Sequence, residues 1–297
     1  MGQKDITEKI LADYNDVFSD IVNVLIFHGE NIVKEDHLEN TKDISQYKAD
    51  GNIHQQERDI SKLWRDKNII WSLIGFEHQS DETDDMPFRV CSYDGAGYRK
   101  QLLGDAKERY PVITMVLYFG TEHKWNKATK LSDVLDIPEG MESYFHDYGI
   151  NVFNIAFLSD EEVELFQSDF KIVADYFVQM RKNKQYKPSA WKIKHVDEIL
   201  KIMSVLTGDY AFEQAQQEAD KFPVSEEGEI SMAAIFSPML EEREARGIAI
   251  GEARGENLMA DLIKKLISLG RSEEVERVAS DVAFREKLYQ EFGLKKI

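Results

Sequence analysis

Cysteine is nearly absent: the chain has one, Cys91, in 297 residues. A single thiol excludes an internal disulfide framework and any Cys-rich zinc site. Seven histidines are scattered with no metal-binding pair at helical spacing, so structural zinc is not expected. No window approaches the roughly 18 uninterrupted apolar residues of a membrane span. The start, Met1-Gly2-Gln3-Lys4-Asp5, lacks the basic-then-apolar layout of a signal peptide, so a cytoplasmic chain with no membrane partner is expected. Basic charge is also short, with 37 Lys and Arg against 55 Asp and Glu and a net charge of -18. That balance excludes a surface coated for nonspecific nucleic-acid binding, because affinity for a duplex rests on neutralising phosphates. Local clusters remain at Arg99-Lys100 and at Arg181-Lys182-Asn183-Lys184 with Lys187, Lys192 and Lys194. Each reads as either a phosphate-facing patch or a solvated surface.

What is present is apolar mass: 42% hydrophobic residues, ample for a core in one large domain with an appendage or in two modest domains. Apolar residues at helical spacing from Ile6 to Phe27 predict an opening amphipathic helix, with Asp16 and Asp20 one turn apart on its flank. The polar stretch Lys34 to Glu57 reads as an irregular connection. Two β-rich segments follow, Arg58 to Trp64 and Ile69 to His78, joined at Arg65-Asp66-Lys67-Asn68 as a hairpin. A helix is expected from Met86 to Leu103, a buried central strand over Val112 to Phe119, a further strand over Asn151 to Phe157, and helices from Asp160 through Leu206. This order gives an α/β fold, a mixed sheet flanked by helices, over residues 1–209. Residues 210–297 read as a helical tail, with a charged helix from about Ile230 to Leu269. In it Gly247, Gly251 and Gly255 recur every four residues, either as a seam for close packing, in cis or in a homo-oligomer, or as a weak, frayed tail.

Chemistry concentrates where the strand Ile69 to Gln79 ends in Glu77-His78-Gln79. Alternation along a strand puts Glu77 and Gln79 on one face and turns Phe76 and His78 away. With the turn at 65–68, antiparallel pairing sets Asp59 opposite Ile74 to Glu77. Neighbouring strands lie about 4.8 Å apart, so Asp59 and Glu77 could share one divalent ion bound through hard oxygens. The His78 backbone carbonyl is a plausible third ligand, and Gln79 could orient water or hold a phosphate oxygen without acting as a base. The plainer reading makes Glu77 a strand-end carboxylate, solvated or salt-bridged to Arg58 or Arg65, and Asp59 a turn residue.

Ile74-Gly75-Phe76-Glu77-His78-Gln79, followed after an acidic loop by Met86-Pro87-Phe88-Arg89-Val90-Cys91-Ser92-Tyr93-Asp94, resembles the bacterial recombination-promoting nuclease or putative transposase family, a branch of the PD-(D/E)XK nucleases. Asp16-Val17-Phe18-Ser19-Asp20 with Asn23, Tyr110-Pro111-Val112-Ile113-Thr114, Leu135-Asp136-Ile137-Pro138 and Val196-Asp197-Glu198-Ile199 fit the same pattern. The resemblance implies a restriction-endonuclease-like core and a magnesium-dependent DNA endonuclease, with manganese as a substitute ion. It places the metal-binding aspartate on Asp59, the strand glutamate on Glu77, and Gln79 where the wider superfamily has lysine. Lys62 or Lys100 could supply the displaced positive charge. Asp20, ahead of Asp16, is the candidate acid from the first helix, and Arg89, Tyr98 and Lys100 are candidate DNA contacts. The alternative is a catalytically inactive DNA-binding or protein-interaction module of the same fold, for which the missing lysine and the acidic charge speak.

Overall fold

The computed structural model describes residues 11–207 apart from 42–43, 51, 68, 80, 104–108 and 188, then 212, 214–215, 230–231, 255 and 257–294. The chain forms two compact units, Met1–Ile235 and Phe236–Ile297.

The first unit opens with α1, Asn15–Phe27, which buries Val17, Phe18, Ile21 and Val22 on one side. The helix expected from Ile6 is broken at Tyr14, whose backbone is extended. Its ring stacks on His195 at 3.8 Å and its hydroxyl donates to Glu198 at 2.8 Å. The part of that expectation before Leu11 lies outside the described residues.

The connection expected to be irregular is instead largely strand: β1, Leu38–Asn40, then a polar hairpin of β2, Ile44–Ala49, and β3, Asn52–Glu57. Residues such as Ser45, Gln46, Gln55 and Gln56 carry no apolar alternation, so the periodicity that marks a strand is missing. The turn signal was there, however. Ala49 pairs with Asn52, and Asp50 turns the chain between them at φ 51°.

β4, Ile60–Asp66, and β5, Ile69–Gln79, form the expected antiparallel hairpin with Lys67 at φ 52° in its turn. After α2, Met86–Leu103, the chain returns as β6, Val112–Tyr118, parallel to β5, and later as β7, Asn151–Asn154, parallel to β6. The mixed sheet has the order β1-β4-β5-β6-β7. A 3-10 turn, Ile155–Phe157, shortens the last expected strand. Helices α3, Asp160–Leu165, α4, Phe170–Asn183, and α5, Val196–Thr207, complete the layer. A short strand, β8, Lys192–Ile193, interrupts the expected helical run and pairs with β9, Ile230–Ser231, where helix had been expected.

Helices cover both sheet faces. Phe18 of α1 stacks on Phe76 at 4.3 Å. On the other face Met86 and Val90 of α2 pack with Val116. Gly97 lets α2 approach the sheet, since a Cβ there would sit 3.2 Å from Val112 and 3.3 Å from Leu73.

The second unit has its own core of Leu262, Leu266, Val278, Leu288 and Tyr289. Its helices are α6 over 257–268, α7, Val275–Ser280, and α8, Val282–Glu291. Gly247 and Gly251 lie outside the described residues, and a Cβ on Gly255 would meet nothing within 4 Å. Among the described residues no helix is long and apolar enough to cross a membrane.

Candidate functional site

Parallel pairing of β5 with β6 sets Gly75 beside Thr114, Glu77 beside Val116 and Gln79 beside Tyr118. These residues face α2. On the other side of β5 the antiparallel ladder ends at Ile60 and Phe76; Asp59, in the bend just before β4, and Glu77 are the next residues, and both carboxylates act on Arg89 and Tyr93. Asp59 is half-buried and Glu77 is 1% exposed.

Burying a carboxylate is costly unless a partner meets it. Arg89, from the first turn of α2, supplies that partner through Nη2 on Glu77 Oε1, while its own side chain stays 40% exposed. Tyr93, one turn later on the same helix face, donates its hydroxyl to the same oxygen at 3.4 Å. Burial alone would lower the Arg89 pKa, but Glu77, then Tyr93 and Asp59, outweigh it and the net direction is up. The Tyr93 phenol is raised as well, first by burial and then by Glu77, with Asp59 adding to the field. Both groups therefore hold their protons at neutral pH as donors.

Next to Asp59 in the chain is a buried, fully anchored arginine. Arg58 is buried and its stem crosses β5 at Gly75, where a Cβ would collide with Arg58 Cδ and lie 3.1 Å from the Ile60 carbonyl. Its guanidinium donates to Asp94 at 2.6 Å and to Thr114 Oγ1 at 3.0 Å. Thr114 also donates to Asp94, at 2.6 Å, and Tyr148 donates to the other carboxylate oxygen. Burial first, and then Asp94, hold the Tyr148 phenol in its protonated form. Gly75→Ala is expected to lower stability by about 1–3 kcal/mol, because the anchored guanidinium leaves the Arg58 stem little room to yield. A urea unfolding curve checks this, and an unchanged midpoint would show that the stem can move.

Other expected site residues lie elsewhere. The Phe119 amide donates to the Gln79 carbonyl and the Leu73 amide to the Pro111 carbonyl, both at 3.0 Å, so odd residues of β5 bond toward β6. Alternation then turns the His78 carbonyl toward the β4 side, beyond the Ile60–Phe76 pair with which β4 begins. Asp20 is not brought to this cluster. It sits on α1, the helix on the Phe76 face, and its Oδ2 accepts the amides of Gln167 at 2.9 Å and Ser168 at 2.7 Å. Asp16 accepts from Lys194 at 2.8 Å and lies 3.2 Å from His195 Nε2.

Lys62 pairs with Ile74 and so points to the Phe18 face, fully buried against Asp13 and Asn40. Tyr98 accepts the Val112 amide at 3.2 Å. Val112 pairs with Leu73, about 13 Å along β5 from Glu77 at strand rise. Lys100 donates to Thr41 Oγ1 at 3.3 Å, eleven positions after Arg89 and thus about 16 Å along the helix. The basic run after α4 is largely engaged: Arg181 with the Ala156 carbonyl, Lys182 with Asp160, Lys184 with Glu122 and Lys194 with Asp16.

Sequence reasoning missed Tyr93 and the Arg58–Asp94–Thr114–Tyr148 network. The Arg89 to Tyr93 spacing of four on a helix was the available signal for the first. No local pattern announces the second, whose members come from four separate segments.

No curated protein and no solved structure matches the chain. Residues 62–199, a stretch that holds Glu77, Gln79, Arg89 and Tyr93 and begins three positions after Asp59, match the family described as putative transposase, YhgA-like, consistent with the resemblance of its motifs.

Proposed function

We propose that the protein is a transposase-like DNA endonuclease whose phosphodiester chemistry is carried by Asp59 and Glu77, with magnesium or manganese as its ion and Gln79 at the strand end. The observation that carries this reading is the end of the β4–β5 ladder at Ile60 and Phe76, which leaves Asp59 and Glu77 as the next residues, with both carboxylates acting on Arg89 and Tyr93. Magnesium is commonly held by one or two carboxylates that leave it several waters and room for substrate phosphates. Two carboxylates beside the His78 carbonyl suit such an ion. Among the described residues no group of three or more His, Cys, Asp or Glu could hold a metal, so a closed all-protein cage is not the model for it. Bound there, a divalent ion would lower the pKa of water and stabilise charge developing on the phosphoryl group.

The chain's own side chains divide the remaining work. Asp59 and Glu77 hold the ion. The half-exposed Arg89 guanidinium suits a phosphate oxygen. The Gln79 amide orients water or a phosphate oxygen, and Tyr93 keeps its proton as a donor to Glu77. Plasmid nicking in magnesium and manganese tests the reading. Wild type is expected to nick, and Asp59→Ala to lose on the order of 100-fold or more. A wild-type protein that leaves plasmid intact with either ion would refute it. A second reading, a DNA-binding module without hydrolysis, is favoured by the Arg89 contact on Glu77. It predicts DNA retention in a gel shift with no nicking.

Asp20→Ala separates loop anchoring from metal binding. It is expected to cost about 1–3 kcal/mol, because the Gln167 and Ser168 amides lose their acceptor, and to leave nicking unchanged. A loss of nicking comparable to that of Asp59→Ala would return Asp20 to the site.

A further inference from the structure

Glu77 is 1% exposed, where an ionised carboxylate is costly without a counter-charge, and Arg89 supplies that charge. Arg89 differs from the buried Arg58 in two respects, exposure and anchoring. Arg58 is 1% exposed and tied to Asp94 and Thr114, whereas Arg89 is 40% exposed and reaches Glu77 through a single terminal nitrogen. The first is an anchor, and the second can swing outward without leaving the helix. We propose that Arg89 is a latch: its guanidinium occupies Glu77 until a DNA phosphate draws it off, so that the divalent ion and the phosphodiester bind cooperatively. This rests on the reading of Asp59 and Glu77 as metal holders.

The physical basis is competition and linkage. The guanidinium stands on Glu77 Oε1, and its positive charge opposes a divalent ion brought to the same carboxylate, so the latch lowers the protein's own affinity for metal. A phosphodiester offers the guanidinium an equivalent paired hydrogen-bonding partner at the mouth, which removes that penalty. Phosphate binding must then tighten metal binding, and by reciprocity metal must tighten phosphate binding. Opening the latch without metal would leave Glu77 buried and uncompensated, which keeps the two events coupled.

Calorimetric titration of magnesium into the full chain, with and without dimethyl phosphate, tests the latch without relying on turnover. Wild type, Arg89→Gln and Arg89→Lys are compared, each first shown to be folded by circular dichroism. Arg89→Gln is expected to bind magnesium on the order of tenfold more tightly than wild type, since one charge-assisted bond to Glu77 no longer competes. Arg89→Lys, a point charge on a shorter reach, is expected to fall between them. Dimethyl phosphate should tighten magnesium binding to wild type and leave Arg89→Gln unchanged. Equal magnesium affinities in the three proteins, no binding in any, or the same phosphate effect in wild type and Arg89→Gln would overturn the latch. Should wild type nick plasmid while those affinities stay equal, only the latch falls. Absence of both nicking and magnesium binding removes the metal site as well.

Discussion

Asp94→Ala is expected to destabilise the first unit by about 3–5 kcal/mol, the usual result of removing one member of a buried ion pair. The carboxylate side chain is 4% exposed and accepts from three groups at once, the Arg58 guanidinium, the Thr114 hydroxyl and the Tyr148 phenol. Alanine leaves the Arg58 charge, at 1% exposure, with Thr114 as its remaining partner among these three and without a counter-charge from Asp94. Marginal stability of about 5–15 kcal/mol makes this a large fraction of the total. Asp94→Asn keeps the volume and one acceptor oxygen but removes the charge, so a smaller loss is expected. Urea unfolding followed by far-UV circular dichroism measures both, with the second unit's transition resolved separately. An Asp94→Ala protein within about 1 kcal/mol of wild type would show that the three donors find other acceptors. The same substitution bears on the site, because Arg58 immediately precedes Asp59 in the chain.

The sheet was legible where its strands are buried. Val112 to Tyr118 and Ile69 to Gln79 carry continuous apolar and β-branched runs, and both stand as strands. β2 and β3 have no such runs, so only the Asp50-Gly51 turn signal marked them. The β4–β5 hairpin followed from a turn position and a period of two, and its ladder ends at Ile60 and Phe76, the residues next to Asp59 and Glu77. What the sequence could not disclose is which cation meets Glu77. Arg58 and Arg65 are near in sequence logic, yet Arg58 is taken by Asp94 and Arg65 lies 3.6 Å from Glu39. Arg89 reaches Glu77 from a helix laid over the sheet, a relation set by packing angle rather than by spacing. Lys62 was likewise a reasonable substitute cation until the alternation of β4 placed it on the Phe18 face.

Glu77→Gln should abolish nicking while leaving the fold in place. Glutamine fills the same volume, and its carbonyl can still accept from Arg89 and Tyr93, so the two bonds now on Glu77 Oε1 are retained in weaker form. Stability is expected to fall by only about 1 kcal/mol, since the guanidinium that loses its counter-charge is 40% exposed and solvated. The metal site, by contrast, loses one of its two proposed anions. Charge stabilisation by a divalent ion amounts to several kcal/mol, and about 4 kcal/mol corresponds to a rate loss on the order of 1000-fold. The pairing of a small stability change with a large activity change is the signature sought. A purely structural Glu77 would give the opposite pattern, a modest rate change that tracks the melting temperature. Magnesium titration separates the remaining cases. If Glu77→Gln binds the ion as wild type does and nicks at an undiminished rate, the chemistry does not run through Glu77, and the carboxylate is there to hold Arg89 and Tyr93 against the sheet.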